Sequence, residues 1–99
     1  DNLVSRQPLL LGNFPNPFNP DTGIEFYLPV PAQTELVIYD VRGRKIRTLL
    51  QEEKPAGRHV LRWDGRNDSG QAMATGIYYY SVSTENSSYT AVKKMMMIK

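Results

Sequence analysis

Residues 13–29 read Asn13-Phe14-Pro15-Asn16-Pro17-Phe18-Asn19-Pro20-Asp21-Thr22-Gly23-Ile24-Glu25-Phe26-Tyr27-Leu28-Pro29. Pro15, Pro17 and Pro20 alternate with two phenylalanines and three asparagines, and the pattern then switches to a period of two. Proline fixes φ, donates no backbone hydrogen bond and biases the residue before it toward extended conformations. The first half is therefore an ordered, non-helical lead-in, with Phe14 and Phe18 as anchors that cap one end of a hydrophobic core. The second half is a strand over residues 22–28. Ile24, Phe26 and Leu28 take the core face, and Glu25 and Tyr27 the other.

Outward from this stretch the text repeats strand and turn. Strands are expected over residues 34–40, 44–50, 58–63, 77–83 and 89–98, and residues 8–11 add an edge strand. Leu36 and Ile38 face the core in the first of these runs, Ile46 is the firmest core residue of the second, and His59, Leu61 and Trp63 share a face in the third. Tyr78, Tyr80 and Val82 share a face in the fourth, with Ile77 and Tyr79 opposite. Between the runs lie turn signals. In Asp40-Val41-Arg42-Gly43 the aspartate can bond nearby amides and the glycine can take a positive φ. Pro55-Ala56-Gly57, residues 64–70 and Glu85-Asn86-Ser87-Ser88 serve the same purpose. No sustained 3.6-residue period occurs. Short strands with turns every 8–12 residues give an all-β fold, and about seven of them in 99 residues fit an immunoglobulin/fibronectin-III-like antiparallel β-sandwich.

Ninety-nine residues make one domain with a single modest core. Residues 10–99 form the sandwich, and residues 1–9 are read as a linker to a missing upstream domain. The chain starts at Asp1, and we read it as a piece of a longer protein. A net charge of +2 argues against a dedicated nucleic-acid binder. The longest apolar run near the end, Met95-Met96-Met97-Ile98, is far short of the roughly 20 residues of a spanning helix, so the chain is not read as membrane-spanning. The absence of cysteine removes thiol catalysis, disulfides and thiolate metal sites.

The inventory for other chemistry is thin. His59 is the single histidine, and its alternation with Leu61 and Trp63 makes it a partly buried strand residue rather than a base or metal ligand. The loop over residues 64–70 holds Asp64, Asn67 and Asp68 near glycines. Its spacing departs from the calcium-loop signature, so these side chains are expected to bond their own backbone. A short exposed loop also offers no cleft for a glycosidase pair. We therefore expect no enzyme, no metal and no cofactor. Tyr27, Tyr39, Tyr79 and Tyr89, some of them on outward strand faces, fit cross-strand pairing on a sheet surface or, in the alternative reading, stacking on sugar rings, with Tyr27 and Tyr79 as the exposed candidates. The tail departs from alternation. Lys93-Lys94-Met95-Met96-Met97-Ile98-Lys99 suits either a strand covered on both faces, a strand whose second face binds a partner, or a final edge strand guarded by lysines.

Taken together these segments resemble the C-terminal sorting domains of the bacterial type IX secretion system. The resemblance rests on Asn13-Phe14-Pro15-Asn16-Pro17-Phe18-Asn19-Pro20, Ile24 to Pro29, Ile38-Tyr39-Asp40, Gly43-Arg44 and Ala56-Gly57-Arg58-His59. It continues through Trp63-Asp64-Gly65, Gly70, Thr75-Gly76-Ile77-Tyr78 and Lys94-Met95, and covers residues 10–99. The immunoglobulin-like domain of the flagellar hook-capping protein is similar. Gly12 and the methionine-rich tail depart from the family's usual residues.

The resemblance implies a non-catalytic domain at the end of a larger secreted protein, which passes through the periplasm to the cell surface or beyond. Its implied partners are the outer-membrane secretion machinery, a sorting peptidase and the upstream cargo domain. The sorting signal, carried over, falls on Gly43, Gly76, Lys93, Lys94, Met95, Met96, Met97, Ile98 and Lys99. A terminal strand of this kind can be read by strand addition, and removal of residues 93–99 is expected to block sorting while the sandwich stays largely folded. The alternative is a carbohydrate-binding or structural accessory module of an extracellular glycoside hydrolase, with polysaccharide as the partner of Tyr27 and Tyr79.

Overall fold

The computed structural model describes residues 6–98. Seven strands are present: β1 (Leu9–Phe14), β2 (Thr22–Leu28), β3 (Ala32–Tyr39), β4 (Lys45–Lys54), β5 (Gly57–Trp63), β6 (Gly76–Thr84) and β7 (Thr90–Met97). They form two antiparallel sheets, ordered β1-β2-β5 and β4-β3-β6-β7. The sheets pack face to face as an immunoglobulin-like sandwich, as the short alternating strands require.

The inner faces are those that alternation indicates. Ile24, Phe26 and Leu28 of β2 meet Leu36 and Ile38 of β3 and Tyr78, Tyr80 and Val82 of β6, all buried. At one end of the core Trp63 lies between two rings, 5.8 Å from Phe18 and 5.4 Å from Tyr78, tilted and edge-on respectively. Such pairs add about 0.5–1.5 kcal/mol beyond their burial. The indole N–H donates to the carbonyl of Arg66 at 2.9 Å, and the Tyr78 hydroxyl donates to the carbonyl of Ala74 at 2.6 Å, so burial leaves neither polar group unpaired. Gly65, at φ +78°, lets the chain pass this end. A Cβ there would stand 3.2 Å from the Pro20 carbonyl and 3.4 Å from Met97 Sδ.

The lead-in crosses from one sheet to the other. β1 pairs with β2, but Phe18 bridges Met97 of β7 in parallel. The Phe18 amide donates to Met96 O at 3.0 Å, and the Ile98 amide donates to Phe18 O at 2.8 Å. Asn13 joins the two sheets: its Oδ1 accepts from the Tyr80 hydroxyl at 3.1 Å, and its Nδ2 donates to Thr22 Oγ1 at 3.1 Å. Thr22 Oγ1 in turn donates to Pro15 O at 2.8 Å. At the other edge of the larger sheet the 64–70 loop caps β4: Asp68 N donates to Ile46 O, and Thr48 N donates to Asp68 Oδ1. Both caps fall at the same end of that sheet, because β4 and β7 run in opposite directions.

Four expectations need correction. Phe18 is 1% exposed and caps the core, but Phe14 is 83% exposed. Phe14 ends β1 opposite Gly23 and leaves on the outer face. β4 runs on to Lys54, and Leu50 rather than Ile46 is its buried residue. Its polar second half carries no apolar alternation but is held by pairing with β3 as far as Lys54 opposite Ala32. Asp64 and Asn67 do bond their own loop, through the amides of Arg66, Ser69 and Gln71, whereas Asp68 serves β4. Finally, Met95 and Met97 are buried in the core. Deleting the tail would remove two core side chains at a cost of roughly 2–5 kcal/mol each, so a truncated sandwich would not stay folded as expected.

Candidate functional site

β7 is an edge strand with one inward and one outward face. Ala91, Met95 and Met97 point in, while Val92, Lys94, Met96 and Ile98 are exposed, Met96 by 42%. Lys93 is exposed as well. The run of apolar residues is thus resolved as a one-sided strand. Its far edge is not open at the end. Besides the two bonds with Phe18, the Met96 amide donates to Asn16 Oδ1 at 3.1 Å. Met96 therefore turns its main-chain groups outward, and they are already engaged. Val92 and Lys94 share that parity in the unbroken β6–β7 ladder.

Gly76 stands opposite Met97 at the same end, so the structure brings Gly76 together with Met95, Met96, Met97 and Ile98. Lys99 lies outside the described residues. Gly43 is elsewhere, in the β3–β4 turn. Its φ of +81° is of the left-handed kind that favours glycine, and its amide donates to Asp40 O at 3.0 Å. Asp40 Oδ1 accepts from the amides of Arg42 and Arg44, each at 2.9 Å, and Oδ2 pairs with Arg44 Nε at 2.8 Å. The Arg44 amide, with its guanidinium, holds the Asp40 carboxyl below its ordinary value.

Tyr27 and Tyr79 lie on the outer faces of different sheets. They do not form one platform. Tyr79 instead neighbours Tyr39, its register partner across β3 and β6. The sequence offers Tyr39 as one of four candidate tyrosines but does not pair it with Tyr79, because only the register places the two side by side. His59 stacks on Phe26 at 5.1 Å, with Nε2 2.8 Å from the Pro55 carbonyl. Among the described residues, no three His, Cys, Asp or Glu side chains converge to hold a metal ion.

Residues 18–88 match the FlgD Ig-like domain family. The chain belongs to that family. The basal-body rod modification proteins FlgD of Salmonella typhimurium (strain LT2) and Salmonella typhi are each 34% identical to this FlgD Ig-like domain over 64 residues, 65% of this chain and 27% of theirs. The chain thus spans about a quarter of the length of these curated relatives. Among solved structures it is similar to dimeric latent PorU of Porphyromonas gingivalis, with a TM-score of 0.75 at 19% identity over 92% of this chain and 9% of that one. PorZ of the same organism, described as an essential bacterial surface component of the type-IX secretion system, superposes with a TM-score of 0.57 at 26% identity, over 88% and 11%. FlgD of P. aeruginosa gives a TM-score of 0.67 at 21% identity, over 97% and 75%. The family match begins at Phe18 and ends before β7, so the cap joining Asn16 to Met96 is built from the flanks that this match leaves out.

Proposed function

We propose that this FlgD-type immunoglobulin-like domain is a non-catalytic sorting and surface-attachment domain of a larger secreted protein. The observation that carries this reading is the likeness to PorZ, a surface component of the type-IX secretion system, joined to the family resemblance of the lead-in and tail. On this reading the upstream cargo passes through the periplasm and is delivered by the outer-membrane machinery, and a sorting peptidase acts after transport. The physical basis is a rigid display. Met95 and Met97 lock β7 into the core, so Lys94, Met96 and Ile98 stand at fixed spacing on its outer face, while Lys93, exposed, has the parity of the inward residues. A receptor reads these side chains on a folded surface. Strand addition at the very end would have to displace residues 16–18, which already occupy Met96 and Ile98.

The test is a fusion of this chain to the C-terminus of a periplasm-targeted reporter, expressed in a bacterium with the type IX system and in an isogenic strain lacking it. The reporter is expected on the surface or in the medium of the first strain and in the periplasm of the second. Periplasmic retention in both strains would overturn the reading.

A further inference from the structure

The outer face of the β4-β3-β6-β7 sheet carries a shallow depression of about 570 Å³, lined by Tyr39, Asp40, Val41, Tyr79, Thr90 and Val92 among others. This falls within the roughly 300–1,000 Å³ of small-ligand sites. Tyr79 is 36% exposed, and among the described residues neither Tyr39 nor Tyr79 spends its ring on another aromatic. Ser81 and Thr90 also line it.

The charges around the depression are unbalanced. Asp40 is committed to Arg44 and to the turn amides. Lys94 stands beside Tyr79 as its register partner on β7, and Arg42 lies in the turn that forms the rim. Among the described residues neither cation has a carboxylate partner. The floor belongs to strands whose main-chain groups are spent in ladders on both sides in β3 and β6. An added peptide strand would find no backbone partners there, whereas a sugar needs only ring faces, hydroxyls and a counter-charge.

We propose that this depression binds an acidic polysaccharide, with Tyr39 and Tyr79 against the sugar rings and Lys94 and Arg42 opposite its carboxylates. The site shares Lys94 with the outer face of β7, but binding of a polysaccharide there does not rest on the sorting reading, and Tyr79→Ala tests it apart from that reading.

The experiment measures binding of the whole chain to polygalacturonate, with neutral xylan and poly-L-glutamate alongside, by affinity electrophoresis and calorimetry. Polygalacturonate is expected to bind best, and more weakly as salt rises. Tyr79→Ala and Lys94→Glu should each weaken binding by about tenfold or more, with unchanged melting temperatures. Tyr27→Ala, on the opposite sheet, should leave it unmoved. Should Tyr79→Ala fail to fold, Lys94→Glu and Val92→Asp, both at exposed positions, carry the test. No binding to polygalacturonate overturns the proposal. So does equal binding to poly-L-glutamate, which would show charge acting alone, or equal loss with Tyr27→Ala.

Discussion

The Met96 amide donates to Asn16 Oδ1 at 3.1 Å, across eighty residues of chain. One end of the domain thereby closes the open edge of the other, and an unprotected edge strand is an invitation to pair with a second chain. Asn16→Ala should cost about 1 kcal/mol, the net value of one such hydrogen bond. Hydrogen exchange locates the effect: the Met96 amide should lose protection, while the Ile98 amide, held by Phe18 O, should keep most of its own.

Phe14 and Phe18 sit four residues apart in one motif and should behave as opposites. Phe18→Ala removes a ring packed on Trp63 and should cost roughly 3–5 kcal/mol. Phe14→Ala should stay within about 0.5 kcal/mol of the parent. Urea denaturation of both variants checks the pair.

This contrast also marks how far the sequence could be read. The strand faces of β2, β3 and β6 follow from alternation alone, because each has one buried side. Phe14 and Phe18 flank the point where the chain leaves the β1-β2-β5 sheet for β7, and that crossing resets the parity, so local pattern cannot sort them. The polar half of β4 is held by its partner rather than by its own residues. The tail read as an even choice because Met95, Met96, Met97 and Ile98 carry no polar marker of the outward face. The caps and the Tyr39–Tyr79 neighbourhood depend on register between distant segments, which no periodicity encodes.

Tyr80 predicts the alkaline limit of the fold. Burial pushes its phenol up to about 12, above the value near 10 of the unfolded chain. Its contribution is therefore full below about pH 10 and is lost as the pH rises toward 12. Unfolding free energies measured from pH 8 to 12 should fall across that window, and Tyr80→Phe should flatten the fall while losing the bond to Asn13.

Gly43 tests whether a proposed signal residue acts on its own or through the turn. A Cβ at Gly43 meets nothing within 4 Å, so Gly43→Ala should cost only the left-handed strain of about 1–2 kcal/mol. If the turn is its whole role, export of a fused reporter should fall no further than with an equally destabilising substitution elsewhere. Thermal melts and reporter assays on matched variants measure this.

The most direct test of the sorting account is cell fractionation of a reporter fused to this domain, comparing the parent with Lys94→Glu/Met96→Asp. Both substituted side chains are exposed, so the melting temperature should hold while the reporter shifts from the cell surface and medium to the periplasm. Undiminished export of that folded double variant would contradict the claim that the outer face of β7 is what the secretion machinery reads.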